Sequence, residues 1–246
     1  MGQIVYLESV DSTNRFAREM AKAGAADGTL VVANEQTGGR GRRGRGWISP
    51  AGEGIFMSLI LRPDIALEDA AKLSLVTALA VANAIERVTG LDARIKWPND
   101  IVCGGRKVCG MLLEMDVAEG RLESVVAGIG INVHQMQFPE EIQNTAASLD
   151  LLLGRRISRK EVIHAFLAAF DEAMALSKDD ARFMQAYRER SATLGQRVQV
   201  IATNETFVGT AVDLTQSGTL IVEDEEGQRR EVLAADVSVR GLMGYV

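Results

Sequence analysis

Nine consecutive residues, Gly39-Arg40-Gly41-Arg42-Arg43-Gly44-Arg45-Gly46-Trp47, set four arginines among four glycines with no acid between them. Glycine lets a backbone bend freely and come close to a ligand. Each guanidinium carries a permanent charge and offers a planar fork of donors to phosphate or carboxylate. Together they suit a mobile loop that folds over an anionic ligand. Other readings compete. A run of like charge can be a solvated face. Arginine-glycine segments also bind single-stranded nucleic acid, although those are usually long and repeated and the chain around this one is acidic. Gly39, Gly41 and Gly44 formally match G-x-G-x-x-G, which needs a helix to open at the glycines. Gly46, Ser49, Pro50 and Gly52 follow instead, and that match is rejected.

In Lys96-Trp97-Pro98-Asn99-Asp100, alternation over Ala93–Trp97 delivers a lysine to a strand end just before a proline bend. A lysine held there is a point charge that can follow developing negative charge; standing alone, the segment reads as a surface lysine on a hairpin. Gly104-Gly105-Arg106-Lys107-Val108-Cys109-Gly110 is compatible with an ordinary hairpin turn and a basic arm. In Gly128-Ile129-Gly130-Ile131-Asn132-Val133, two glycines in an apolar strand signal close packing or a bulge, or leave space for a flat ligand. There is no G-x-x-x-x-G-K-[ST], so ATP would not be held by a P-loop. His134 and His164, the two histidines, argue against a zinc site and a Ser-His-Asp triad. Cys103 and Cys109 read as buried or half-buried unbridged thiols rather than a redox pair.

The elements that must position these residues follow from periodicity and punctuation. Asp11-Ser12-Thr13-Asn14 offers caps for a helix carrying Phe16, Ala17, Met20 and Ala21. Leu30 to Asn34 and Ile55 to Leu61 predict strands. Leu67 to Val88, apolar nearly all round, predicts a helix buried against a sheet, stopped by Gly90. Ile95 to Cys103 and Lys107 to Met115 predict a hairpin about Gly104-Gly105, followed by a strand from Ser124 to Val133. Ser158 and Glu161 form a capping box for a helix through Leu176, and Asp179 to Tyr187 adds a shorter one. After Ser191 short strands at Arg197–Ala202, Thr206–Leu214, Thr219–Glu223 and Arg229–Leu233 predict a small β-barrel. The expected domains are 1–190, mixed α+β, and 191–246.

The 246 residues suit one large domain, or one large and one small. Hydrophobic residues make up 47% and charged residues 24%, enough for an ordinary core. No apolar run reaches the roughly 18 residues of a membrane span, and the N-terminus lacks the basic start and apolar block of a secretory signal. With two cysteines, these features predict a cytoplasmic protein. A formal net charge of −6 makes the chain a poor non-specific partner for nucleic acid or anionic lipid.

The blocks Asp11–Asn14, Glu35-Gln36, Gly39–Trp47, Lys96–Asp100, Gly105–Gly110 and Gly128–Val133 occur in the order and spacing of the biotin–protein ligases. GRGRRGR followed shortly by tryptophan, with KWPND about fifty residues on, is highly specific for them, and the resemblance covers nearly the whole chain. It implies an α+β fold in which a mixed, largely antiparallel sheet is packed by helices, like class II aminoacyl-tRNA synthetases, plus a small C-terminal β-barrel. It implies ATP and biotin as substrates, magnesium with the ATP, and the biotin carboxyl carrier protein of a carboxylase, acetyl-CoA carboxylase being the family's type case, as acceptor partner. Biotin carboxylate attacks the α-phosphate to give biotinyl-adenylate, and an acceptor lysine then takes the biotin.

By matching position, Ser12, Thr13, Asn14, Gln36 and Gly39 resemble biotin-side contacts. Arg40, Gly41 and Arg42 resemble loop residues over carboxylate and phosphate, and Lys96 the lysine beside the reacting atoms. Arg42, Arg45, Trp47, Lys107 and Asn132 resemble the ATP side, with Trp47 packing on adenine. Lys96, Arg40 and Arg42 are the expected catalytic residues; the resemblance names no metal ligand. Some relatives carry an N-terminal helix-turn-helix domain. Here the SerThrAsn motif begins at Ser12, and the expectation is a monofunctional ligase with no DNA partner and no membrane. Relatives often self-associate through the sheet face, which suggests a homodimer. Lipoate–protein ligases share the fold class but lack the GRGRRGR and KWPND pair; a module binding RNA through the arginine loop is the alternative of another class.

Overall fold

The computed structural model describes residues 2–202, 205–234 and 238–241. The chain folds as two compact units, Met1–Ala70 with Val108–Ile163, and Ala71–Lys107 with His164–Val246.

The first unit is built on five strands in the order β1-β2-β3-β7-β6. These are β1 (Ile4–Val10), β2 (Leu30–Gln36), β3 (Gly54–Leu61), β6 (Arg106–Ala118), whose first two residues belong to the second unit, and β7 (Arg121–Asn132). β1 and β2 run parallel, and the other neighbours pair antiparallel. All eight residues of β3 are buried, as an apolar run in a central strand requires. Helix α1 (Thr13–Lys22) lies on one face. Its buried residues Thr13, Asn14, Ala17 and Ala21 recur at helical spacing. Ala17 and Ala21 pack on Val31, Ile60 and Val126. The Arg62 guanidinium closes the end of α1 by donating to the carbonyls of Ala21 and Ala25, a cation placed where the helix dipole is negative. A short helix, α3 (Leu149–Leu153), is capped by the Ser148 hydroxyl.

In the second unit, α2 (Lys72–Thr89) is buried nearly all round and ends at Gly90, whose φ of 74° is the left-handed stop expected there. It begins five residues later than predicted, because Leu67–Ala71 forms a tighter turn in which Asp69 N donates to Ala66 O. The single strand expected over Ile95–Cys103 is a hairpin of its own: β4 (Ala93–Lys96) pairs with β5 (Asp100–Cys103) about Trp97-Pro98-Asn99. Both cysteines are buried, and burial pushes the Cys103 thiol up to about 12, so it is inert at neutral pH.

α4 (Arg159–Leu176) begins at the predicted box, where Glu161 N donates to Ser158 Oγ. α5 (Asp180–Glu189) is capped by Asp179. Five short strands follow: β8 (Arg197–Ile201), β9 (Thr206–Leu214), β10 (Leu220–Asp224), β11 (Arg229–Val232) and β12 (Ser238–Gly241). The separate C-terminal sheet is as expected. Its antiparallel pairing among the described residues runs β11-β10-β9-β8-β12, with β12, absent from the sequence reading, beside β8. Among the described residues no helix is long and apolar enough to cross a membrane.

Candidate active site

Ser12-Thr13-Asn14 forms the entry and first turn of α1, and all three residues are buried. The Ser12 amide donates to Asp11 Oδ1 at 2.7 Å, and its carbonyl accepts the first helical bond from Phe16. Thr13 gives both its amide (2.8 Å) and its hydroxyl (3.0 Å) to Oε1 of Gln36, the last residue of β2. Asn14 turns inward. Its amide nitrogen donates to Leu112 O at 3.1 Å and Glu114 Oε2 at 2.7 Å, and its oxygen lies 2.7 Å from the hydroxyl of Ser58. Asn14 therefore ties α1 to β3 and β6. A β-carbon on Gly128 would stand 2.1 Å from Asn14 Oδ1, so one of the two strand glycines makes room for this side chain.

Behind Glu114, Arg18 bonds Asp116 at 2.6 and 3.2 Å. The hydrogen bond from Arg18 holds the Asp116 carboxyl below its ordinary value.

The arginine-glycine segment is a tight reversed turn. Trp47 N donates to Gly39 O at 2.9 Å, Gly41 N to Arg45 O at 2.7 Å and Arg45 N to Arg42 O at 3.3 Å, and Arg40 bridges Gly46. Arg42–Gly44 makes a single 3-10 turn with Arg43 in the left-handed region, φ 57°. Arg42 is half-buried, whereas Arg43 and Arg45 are exposed. Trp47 leaves the turn with its indole against Gly130, where a β-carbon would stand 2.5 Å from Nε1 and 2.6 Å from Cε2. The second strand glycine thus seats an aromatic ring. Two residues on, buried Asn132 donates from Nδ2 to Ala147 O at 3.2 Å.

Within the first unit, Thr13, Gln36, Trp47 and Gly39 are joined by hydrogen bonds through Ser49, Asn14 meets Thr13 at the Ser58 hydroxyl, and Gly41, Arg42 and Arg45 are bonded to one another within the turn. Asn132 stands two residues from the glycine under Trp47. Sequence reasoning missed Ser49, Ser58 and Glu114. A lone polar residue in an apolar strand was the available signal for Ser58; Glu114 is 100 residues from Asn14 and had none. It also missed the buried pair His134 Nδ1–Asp150 Oδ2, at 2.7 Å, which fixes the return of the chain after Asn132.

Lys96 and Lys107 belong to the second unit. Lys96 ends β4 and is 7% exposed. Its neighbour Trp97 is held by Thr193 Oγ1 on its amide and by Gly218 O on its indole nitrogen, both at 2.9 Å. Lys107 Nζ lies 2.6 Å from Asp100 Oδ1.

A cleft of about 750 Å³ opens elsewhere on the first unit, lined among others by Tyr6, Glu8, Val32, Asn34 and Arg159. These strand residues alternate with Leu7 and Val31, which pack with α1. No candidate residue lines it. Among the described residues no group of three or more histidine, cysteine or acidic side chains could hold a metal ion.

Known proteins share this arrangement along most of the chain. The profile of the Biotin/lipoate A/B protein ligase family matches residues 6–132, and that of the Biotin protein ligase C terminal domain matches residues 193–240. The bifunctional ligase/repressor BirA of Bacillus subtilis is 39% identical over 244 residues, 97% of this chain and 75% of that protein. The biotin–[acetyl-CoA-carboxylase] ligase of Paracoccus denitrificans is 34% identical over 96% of this chain and 100% of its own length. The structure of biotin protein ligase from Aquifex aeolicus in complex with biotin and ATP superposes with a TM-score of 0.83 at 32% identity, covering 98% of this chain and 100% of that one. With a family profile over more than half its length and relatives of this identity over nearly all of it, the chain belongs to the biotin/lipoate A/B protein ligase family.

Proposed function

We propose that the protein is an ATP-dependent biotin–protein ligase that activates biotin as biotinyl-5'-AMP and transfers it to a lysine of a biotin carboxyl carrier protein. The observation that carries this reading is the turn Gly39–Trp47, whose tryptophan is tied to the Thr13–Gln36 pair through Ser49 and seats its indole on Gly130. The turn carries four arginines in the same segment as the tryptophan assigned to adenine.

In the first step a biotin carboxylate oxygen bonds to the α-phosphorus of ATP, the bond from that phosphorus to the bridging oxygen breaks, and pyrophosphate leaves. Both reactants are anionic, so cations must relieve their repulsion and stabilise the charge-dense transition state. We assign Arg40, Arg42 and Lys96 to that work, and Lys107 and Arg45 to the ATP phosphates. In the second step the acceptor amine attacks the acyl carbon, AMP leaves, and the amine loses a proton to solvent. The two substrates and the acceptor lysine supply both nucleophiles, so the protein contributes orientation and charge. Ser12, Thr13, Gln36, Gly39 and Gly41 form the biotin side, with Asn14 as the brace behind it. Trp47 and Asn132 take the adenine. Magnesium bound with ATP would offset phosphate charge, and no residue of this chain is assigned to hold it.

We assign residues 1–190 to the catalytic domain and 191–246 to a small accessory domain, a division supported by the separate family profiles for 6–132 and 193–240. The reaction is placed in the cytoplasm, and the working form is proposed to be a homodimer, to be checked by sedimentation. The decisive assay is pyrophosphate release from ATP with biotin or lipoate, followed by labelling of a purified carrier domain. Release with biotin alone supports the reading, and release with lipoate alone overturns it.

A further inference from the structure

Ser49 follows the arginine-glycine turn in the chain. It is 5% exposed and lies two residues beyond Trp47. Its hydroxyl accepts from Gln36 Nε2 at 3.0 Å and donates to Trp47 O at 3.1 Å, and its carbonyl accepts from Gln36 N at 3.2 Å. The sense of this series is fixed. Thr13 presents two donors to Oε1 of Gln36, so the Gln36 amide must present Nε2 to Ser49. Ser49 then has one proton left, and Trp47 O receives it. The run Thr13→Gln36→Ser49→Trp47 is one-directional.

The fifth participant is Gly39. A β-carbon there would stand 2.4 Å from Trp47 O, 2.8 Å from Ser49 Oγ and 3.2 Å from Gln36 Nε2, so three groups close over its bare α-carbon. Trp47 is consequently held at three points: its amide by Gly39 O, its carbonyl by Ser49 and its indole by Gly130. The carbonyl leads back to the Thr13–Gln36 pair through the Ser49 side chain.

We infer that Ser49 is a positioning residue whose hydroxyl couples the Gln36 amide to Trp47, so that the biotin-side pocket and the adenine platform are set together rather than independently. The consequence for ligands rests on the ligase reading above; the coupling itself does not. A buried hydrogen-bonded series of this kind acts as a unit, and removing its middle member leaves two groups unsatisfied.

The test compares Ser49→Ala with wild type, each also carrying Gln36→Leu, after thermal unfolding has shown that each variant folds; Ser49→Cys replaces Ser49→Ala should the latter not fold. Acrylamide quenching of tryptophan emission in the ligand-free protein reads Trp47, because Trp97, the other tryptophan, is 2% exposed. Loss of the hydroxyl should raise the quenching constant by about twofold and the KM for ATP by about five- to tenfold, with kcat within about threefold. Gln36→Leu should raise the KM for ATP when Ser49 is present and leave it nearly unchanged in the Ser49→Ala background. Quenching equal to wild type, or the same multiplication of KM by Gln36→Leu in both backgrounds, overturns the coupling. Should wild type release no pyrophosphate from ATP and biotin, the ligase reading fails, and the quenching comparison still decides the coupling.

Discussion

The indole of Trp47 rests on the bare α-carbon of Gly130 in β7, so close that a single methyl group there would overlap Nε1 and Cε2. Gly130→Ala should push the ring off the strand and weaken ATP binding while leaving biotin binding within about threefold. Loss of a stacked aromatic under a base costs about 1–3 kcal/mol, and Trp47→Ala should show a loss of the same size. Calorimetry with each ligand separately checks this; equal losses for biotin and ATP would refute the assignment.

Lys96→Ala should nearly abolish adenylate formation in a folded protein. The ammonium ends β4 and is nearly buried, which keeps it preorganised rather than solvated. Removing one such charge from a reacting centre costs about 2.7–4 kcal/mol. Single-turnover formation of biotinyl-adenylate is the measurement, with thermal unfolding as the control. A rate within about threefold of wild type would remove Lys96 from the mechanism.

Arg18 and Asp116 supply a pH signature. The carboxyl is held below its ordinary value chiefly by its hydrogen bond from Arg18. The stability this gives is fully present above the ordinary carboxylate range, near pH 4, and is lost as the pH falls through the lower folded value. Both side chains are partly exposed, 34% and 21%, which keeps the contribution to about 0.5–1 kcal/mol. Arg18→Met should therefore lower the Tm at pH 7 by about 1–4 °C, and the gap from wild type should close as the pH falls below the ordinary carboxylate range. A gap that stays constant down to pH 2 would show that the pair is not its source.

The legible parts were those whose signal is local. The arginine-glycine turn, the stop at Gly90 and the box at Ser158 are written in adjacent residues, and each is where the sequence put it. The strand β1 was not legible. Its residues alternate only loosely, and what fixes it is parallel pairing with β2, some 26 residues on. The hairpin of β4 and β5 was only half visible: Pro98 signals the bend after Lys96, but the antiparallel return of Asp100–Cys103 onto Ala93–Lys96 is a pairing that no local signal spells out. Within the site, the motif around Ser12 was visible as a motif, but the division of labour was not. Thr13 meets Gln36 across 23 residues and Asn14 meets Glu114 across 100, and no periodicity reports such a meeting. The glycines of β7 were open to two readings, packing or ligand space. In the structure Gly128 makes room for Asn14, and Gly130 for Trp47.

The turn that carries the arginines gives the last prediction. Without ligand it is closed by three backbone hydrogen bonds, Gly41 N to Arg45 O, Arg45 N to Arg42 O and Trp47 N to Gly39 O. Against them stand four like charges within six residues, and Arg43 at a positive φ that costs a side-chain-bearing residue about 1–2 kcal/mol. The balance is narrow, because each of those bonds contributes only about 0.5–1.5 kcal/mol net. Arg43→Gly removes one charge and the strain together. Arg43 is exposed and lies outside the assigned machinery, so the variant should keep kcat within about threefold while its Gly41 and Trp47 amides exchange more slowly in the ligand-free state. Adding biotin and ATP should slow the same amides in wild type by about tenfold or more, since phosphate and carboxylate supply charge-assisted bonds to the remaining arginines. Hydrogen exchange across residues 38–47, with and without both substrates, measures this. Full protection in the empty protein, or no gain on adding substrates, would show that the turn is a rigid scaffold rather than a segment whose closure depends on its ligand.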